Sequence, residues 1–314
     1  MSPVAVLLAS CAPVVIPDLP DEPLLLLEEL GPPVLSVLDP GAAQADPRFT
    51  LPSGAFAYDL DVNESGAVAL AYTAPAAEGG AGYDRSGIAS LQSDDTLLPL
   101  ACRDAPGVWC FFPAWSPGTS RVWFVAAGVD VASGAEHALA WVDAPGGAIH
   151  EAVPWGSEPA VSADGTRVAW VAVDPATLER SLELGDEDGV LLRTVVPRGA
   201  VTDIGQPFFS VDGDYLYFVV PSTPVASLWG WLVPSAWAHG SHDVPGDWWR
   251  APTAGGPPEQ ITNLETIQYD GRPHPDGGWF AAATREGVVL VDMETGDATT
   301  LLEIRTVRAL DWVP

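Results

Sequence analysis

The stretch Pro159-Ala-Val-Ser162-Ala-Asp164-Gly165-Thr-Arg-Val168-Ala-Trp170-Val-Ala172 reads as a strand, a turn at Asp-Gly, and a second strand of small and apolar residues. Asp caps its own backbone at such a turn, and Gly takes the positive φ that a tight hairpin demands. Related phrases stand at Pro113-Ala-Trp115-Ser-Pro-Gly118, Pro207-Phe-Phe-Ser210-Val-Asp212-Gly213 and Pro273-His-Pro275-Asp276-Gly277, with degraded copies near Asp61 and Asp311. Aligned on the turn residue, the copies fall at Asn63, Ser116, Ser162, Ser210, His274 and Val313, separated by 53, 46, 48, 64 and 39 residues. Strand-rich repeats of about 40–50 residues are the signature of β-propeller blades, each a four-stranded sheet. The two long intervals imply loop insertions.

The third copy predicts strands at 158–161, 167–173, 181–185 and 191–196. The fifth predicts 279–284, 287–292 and 298–302, and the first 67–72, 87–91 and 97–101. The last copy stops after one strand, at Leu310-Asp-Trp-Val-Pro314. An innermost strand left alone would expose an unpaired edge. The N-terminus can supply the missing three, at 24–28, 34–38 and 48–51. The expected architecture is an all-β propeller of six four-stranded blades, with the ring closed by pairing the two chain ends in one blade.

Composition agrees. Of 314 residues 47% are apolar, and 31 Gly, 31 Pro and 13 Trp supply turns and large apolar anchors. All thirteen basic residues are Arg, against 42 Asp and Glu, for a net charge of −29. Such a surface repels phosphate backbones and anionic lipid headgroups, which argues against nucleic acid as a partner. The acids serve either as solvated turn residues or as a surface for a cationic partner or Ca²⁺.

Three cysteines divide unevenly. Leu8-Ala9-Ser10-Cys11 resembles the lipobox of bacterial lipoproteins, which makes Cys11 a lipidation candidate; it departs from that pattern in having a short segment before it with no Lys or Arg. On this reading residues 1–11 are a signal-like segment, 12–23 a Pro-rich acidic tether, and 24–314 the propeller, which meets a membrane only through its N-terminal anchor. The apolar run from Val4 to Ile16 holds Pro13 and is too short to span a bilayer. Cys102 and Cys110 then form a pair, either as a disulfide suited to an oxidising envelope compartment, contributing about 2–3 kcal/mol, or as two buried thiols.

The repeat itself resembles the TolB-like, WD-repeat-like propeller family, whose pattern runs roughly Pro-x-Trp-Ser-Pro-Asp-Gly-x-x-Ile-Ala-Phe and ends on a strand with Leu-Thr. Pro113-Ala-Trp-Ser-Pro-Gly118 and Glu259-Gln-Ile-Thr262 match the two ends, and Asp247-Trp-Trp-Arg250 with Thr253-Ala-Gly-Gly256 match the middle. The resemblance covers most of residues 33–314. It implies a propeller that binds proteins or small ligands, commonly in the bacterial envelope, with no single conserved chemistry.

Motifs for chemistry are near-misses. Asp59-Leu-Asp61-Val-Asn63 begins like a Ca²⁺ loop but has Glu64 where Gly is needed and Leu70 where the bidentate Glu belongs. His150-Glu151 is followed by Pro154 where a zinc-protease helix needs its second His. The Gly-rich run from Gly79 to Gly87 lacks the third Gly of a dinucleotide loop, with Arg85 in its place, and reads as a flexible loop. No cofactor motif or catalytic triad emerges.

The insertion at 221–245 departs from blade economy. It contains Trp229, Trp231, Trp237, His239 and His242, and Trp248-Trp249 follow. Trp clusters are common interface centres, but these residues serve equally well packed on their own blade. The His pair beside Asp243 is a weak metal signal, and no metal is expected. The leading reading is a non-catalytic, monomeric envelope propeller that binds a protein or envelope ligand. The alternatives are a hydrolase or lyase on the funnel rim, which convergent Asp, His and Arg would favour, and a structural component of a larger assembly. Deleting 224–244 separates the insertion's two roles: unfolding on thermal denaturation marks self-packing, and a stable chain that has lost its partner marks a binding element.

Overall fold

The structure, a computed structural model, describes residues 20–29, 32–52, 55–73, 86–92, 94–102, 108–128, 133–222 and 245–314. Among the described residues there are strands and turns but no helix, and so none able to cross a membrane. Cys11 and most of the 221–245 insertion lie outside them, as does most of the Gly-rich run.

Six antiparallel groups of strands follow one another along the chain. Blade 1 combines β1 (Leu24–Glu28), β2 (Val34–Asp39) and β3 (Gln44–Thr50) with the last strand, β24 (Val307–Trp312). Blade 2 is β4 (Phe56–Val62), β5 (Val68–Thr73), β6 (Ser86–Leu91) and β7 (Leu97–Ala101). Blade 3 is β8 (Val108–Trp115), β9 (Arg121–Gly128), β10 (His137–Asp143) and β11 (His150–Pro154). Blade 4 is β12 (Gly156–Val161), β13 (Arg167–Val173), β14 (Arg180–Asp186) and β15 (Leu191–Val196). Blade 5 is β16 (Gly205–Phe209), β17 (Tyr215–Pro221), β18 (Pro245–Pro252) and the two-residue β19 (Glu259–Gln260). Blade 6 is β20 (Thr266–Pro273), β21 (Trp279–Thr284), β22 (Val288–Asp292) and β23 (Ala298–Leu302). A short pairing of Pro245 with Ile267 and Gly246 with Thr266 ties blade 5 to blade 6.

The expected ring closure is present. β24 pairs antiparallel with β1, Leu24 opposite Trp312 and Leu27 opposite Ala309, so the two chain ends complete one blade. The repeated turn is also as expected. Ser162 N–H donates to Arg167 O at 2.9 Å and Gly165 N–H to Ser162 O at 2.8 Å, with Gly165 at φ +70°. Ser210 with Gly213 and His274 with Gly277 repeat it.

The core lies in apolar clusters in the seams between blades, with a second, smaller one around Phe111 and Val125 between blades 2 and 3. Ile88 and Leu100 of blade 2 meet Phe124 of blade 3, Trp123 meets Trp170 between blades 3 and 4, and Leu184 meets Phe218 between 4 and 5. Phe208 and Trp248 meet Phe280 between blades 5 and 6, Leu290 meets Leu24 between 6 and 1, and Leu35 meets Leu60 between 1 and 2. Second strands are rich in Ala and Val because both of their faces are covered. Cys102 and Cys110 form the disulfide, with Cα atoms 6.2 Å apart, and join the end of β7 to β8.

Boundaries differ most at the outer strand β3, which starts at Gln44 rather than 48. Its residues are mostly exposed, so no buried face marks its start in sequence. In β20, a Cβ on Gly271 would fall inside van der Waals contact of the Phe280 and Trp248 rings. Gly271→Ala is expected to lower stability by about 1–3 kcal/mol through overpacking, read as a shift in the urea midpoint at unchanged slope.

Candidate functional site: the central channel

Six innermost strands, β4, β8, β12, β16, β20 and β24, surround the axis. Each carries a register irregularity, for example between Ala57 and Asp59, Phe111 and Ala114, and Ser157 and Ala160. A bulge breaks the in–out alternation and re-aims a side chain. Three of these bulges hold a non-Gly residue in the left-handed region immediately before proline: Phe112 at φ 52°, Glu158 at 50° and Gln206 at 53°. That conformation costs about 1–2 kcal/mol at each residue; the proline that follows disfavours a right-handed helical alternative.

The re-aimed side chains lace the blades together. Innermost strands of neighbouring blades form no continuous backbone ladder, so inward amides need other acceptors. Asp311 Oδ2 of blade 1 accepts from Val62 N–H of blade 2 at 2.7 Å, and Asp61 Oδ2 of blade 2 accepts from Trp115 N–H of blade 3 at 2.7 Å. Glu158 Oε2 of blade 4 accepts from Gln206 N–H of blade 5 in a short contact. Gln206 Nε2 donates to Tyr269 O of blade 6 at 2.9 Å, and Asp270 Oδ2 of blade 6 accepts from Leu310 N–H of blade 1 at 3.0 Å.

Arg272 ties three of these blades at once. Its Nη1 contacts Asp270 Oδ1 at 2.6 Å, its Nε stands 4.0 Å from Asp311 Oδ2, and its Nη2 donates to Leu60 O of blade 2 at 3.2 Å. One guanidinium does not balance the carboxylates around it. Burial, with Asp270's charge added, pushes Asp59 well above the usual carboxylate range. Burial lifts Asp61 to about 6 against the pull of Arg272, and burial with Asp61's charge lifts Asp311 to about 8. Although burial opposes its charge, Arg272 is raised above its usual value by Asp270, Asp311, Asp61 and Asp59.

These groups line a cavity of about 260 Å³, running from the turn end of the ring at Asn63, Glu64 and Pro117 inward to Tyr58, Phe112, Glu158, Gln206 and Tyr269. Six carboxylates and one Arg line it, with no His among the described lining residues. Among the described residues no group of His, Cys, Asp and Glu has the arrangement to hold a metal ion.

The binding residues expected from the sequence are not among the described lining residues. Trp229, Trp231, Trp237, His239 and His242 fall outside the described residues, as does Cys11. Trp248 is buried in the blade 5–6 seam, and Asp59-Leu-Asp61 is an innermost strand running into its turn. His150 stacks on Trp141 at 4.0 Å, beneath Arg121. Of the channel residues only Asp59 and Asp61 draw notice in sequence, as part of a failed Ca²⁺ loop, yet the signal of the whole set lies in the repeat register. Four residues before the turn position the copies read Asp59, Phe112, Glu158, Gln206, Asp270 and Ala309, and two before it Asp61, Arg272 and Asp311 recur. Ionisable residues at a fixed register of otherwise apolar strands mark the axis.

No protein-family model and no curated protein matches this chain. Solved structures do match in fold. A chain of the nidogen/laminin complex aligns at TM-score 0.66 and 8% identity, over 93% of this chain and 98% of its own length. A putative TolB from Agrobacterium tumefaciens aligns at TM-score 0.63 and 15% identity, over 94% and 99%. TolB from Acinetobacter baumannii aligns at TM-score 0.64 and 14% identity, over 93% and 66%. At these identities the likeness establishes the β-propeller fold.

The raised carboxylates give a pH dependence of definite sign. A carboxyl group whose folded-state pKa exceeds its unfolded value holds more protons in the folded state, so stability is present at low pH and lost as pH rises. From Asp61 near 6 and Asp311 near 8, the unfolding free energy is expected to fall between roughly pH 4 and pH 8. Asp311→Asn, which keeps an acceptor and removes the charge, should flatten that slope in denaturant melts taken across the range.

Proposed function

We propose that the chain is a non-catalytic binding propeller of the bacterial cell envelope, and that a partner docks at the turn end of the ring and places a cationic group in the channel mouth. The acid-rich channel carries this reading: six lining acids share Arg272, which is already held by Asp270 and by Leu60 O, with Arg180 3.9 Å from Glu158. A cation placed beside them would ionise the carboxyls that burial keeps protonated. An Arg or Lys of a partner protein supplies the charge this site lacks. Tyr58, Phe112 and Trp115 on the cavity wall add aromatic faces suited to a cation. Nidogen/laminin, as named, is a protein complex on a propeller of this shape, which supports a protein partner.

The envelope location rests on the lipobox-like Leu8-Ala-Ser-Cys11 and on the disulfide between Cys102 and Cys110, a bond that persists in oxidising compartments. A rival reading as a hydrolase or lyase draws on Asp59 and Asp311, whose raised carboxyls suit a general acid. Against it, Asp311, Asp61 and Asp270 are engaged by backbone amides of the next blade, a holding task that leaves little freedom for proton transfer.

Titration calorimetry with a tetra-arginine peptide tests the mouth. Binding should weaken with salt, and Asp59→Asn, which retains the acceptor for Leu60 N–H, should weaken it about tenfold, equivalent to about 1.4 kcal/mol. Unchanged affinity in the variant rejects the mouth as the site. Turnover of an ester or glycoside panel that Asp59→Asn abolishes would make the channel an active site instead. Cys11→Ala should lose incorporation of labelled fatty acid and leave the membrane fraction. A pull-down from solubilised envelope, wild type against a Trp229, Trp231 and Trp237 triple Ala variant, reports whether the insertion contributes to partner binding.

A further inference from the structure

The six outermost strands are not equally guarded. An outer strand leaves one row of N–H and C=O groups unpaired, and proteins blunt such edges with proline, charge or brevity. β3 contains Pro47 and Arg48, β7 contains Pro99, and β11 runs His150-Glu-Ala-Val-Pro154. β19 is two residues long, and β23 offers Ala298, Thr299 and Thr300 before its buried Leu301. β15 holds no proline, its charge, Arg193, comes third, and its register irregularities fall at Leu192 and Val195. It begins Leu191-Leu192, and with Val190 before it these side chains are 56%, 57% and 62% exposed.

That edge is also held firmly. β15 pairs with β14 from Gly185 opposite Leu191 to Leu182 opposite Val196, and it ends its sheet on the other side. Arg193 Nη1 donates to Ala254 O of blade 5, and Thr194 Oγ1 donates to Glu183 Oε2 at 2.8 Å. The turn that leads in, Asp186-Glu187-Asp188-Gly189, is capped by Asp186 Oδ1 on Asp188 N–H and Val190 N–H; Asp188 pairs with Arg121 of blade 3 at 3.2 Å, and the Glu187 side chain stands exposed beside the aliphatic edge. Among the described residues nothing pairs with this edge, and an apolar strand edge with an acidic turn at its head is a template for strand addition.

We infer that the outer edge of β15 is a docking site for an extended peptide segment of a partner protein, one alternating apolar and basic residues, which adds a fifth strand to blade 4. Val190, Leu191 and Leu192 give the added strand exposed apolar neighbours. Glu187 at the head of the strand selects a Lys or Arg residue. A second copy of this chain is disfavoured as the occupant, since each copy carries a net charge of −29. The site lies on the ring's outer rim and stands independently of the channel mouth.

The probe is a capped heptapeptide alternating Val and Lys, added to the full chain and read by amide hydrogen exchange. Exchange at 191–194 should slow about tenfold, less at high salt, and equally in Asp59→Asn, which separates this site from the mouth. A version of the peptide N-methylated at alternate residues keeps every side chain but cannot complete the ladder, so it should give no protection. The double variant Leu191→Lys, Leu192→Lys, unchanged in melting temperature because both positions are exposed, should abolish protection. The proposal is overturned if 191–194 are not protected, if the N-methylated peptide or a Glu-for-Lys peptide protects them equally, or if raising the protein concentration alone protects them, which identifies a second copy as the occupant.

Discussion

The ring depends on how six innermost strands satisfy their backbone where they face the axis and have no neighbouring strand to pair with. A buried amide without an acceptor costs about 1–3 kcal/mol, and a propeller concentrates such amides around its channel. Here carboxylates supply the acceptors. Asp311, Asp61, Glu158 and Asp270 each reach to the next blade's backbone, and Arg272 reaches past blade 1 to Leu60. Apolar seams hold the blades face to face, and this polar lacing holds their inner ends in register.

Satisfying amides with carboxylates concentrates negative charge in a partly enclosed space. Burial and mutual repulsion then hold Asp59 and Asp311 above their ordinary range, with Arg272 as the local counterweight. The same interaction that closes the ring therefore creates an acidic mouth. On the proposed reading stability and binding are coupled through it, because a cation entering the channel would relieve repulsion among groups that also bear structural load.

Much of the fold was legible in the chain because turns are local. The Asp-Gly and Ser-turn phrases set φ and capping within a few residues, so their period counted six blades, and β7, β13, β15, β21 and β23 begin and end where the repeat placed them. Closure was legible for a negative reason: a single C-terminal strand at 307–312 needs partners, and Leu24 to Leu27 are too apolar to stay exposed. The start of β3 was not legible, since a strand exposed on both faces carries no alternation. Nor were the bulges, whose positive φ at Phe112, Glu158 and Gln206 is imposed by packing around the axis and goes against local propensity.

By itself, then, the sequence determined the blade, its turns, the count and the closing pair of ends, all of which follow from contacts within one repeat or from an unpaired edge. Which acids matter was decided only by the tertiary structure. Asp59, Asp61, Asp270 and Asp311 are four among 42 acidic residues, and what distinguishes them is that residues some 40 to 250 positions apart meet across the channel. The same holds for β15, whose Leu191 and Leu192 read as an ordinary apolar strand until the order of strands in blade 4 left them outermost. Charge compensation and edge exposure are properties of the closed ring, so no single repeat can encode them.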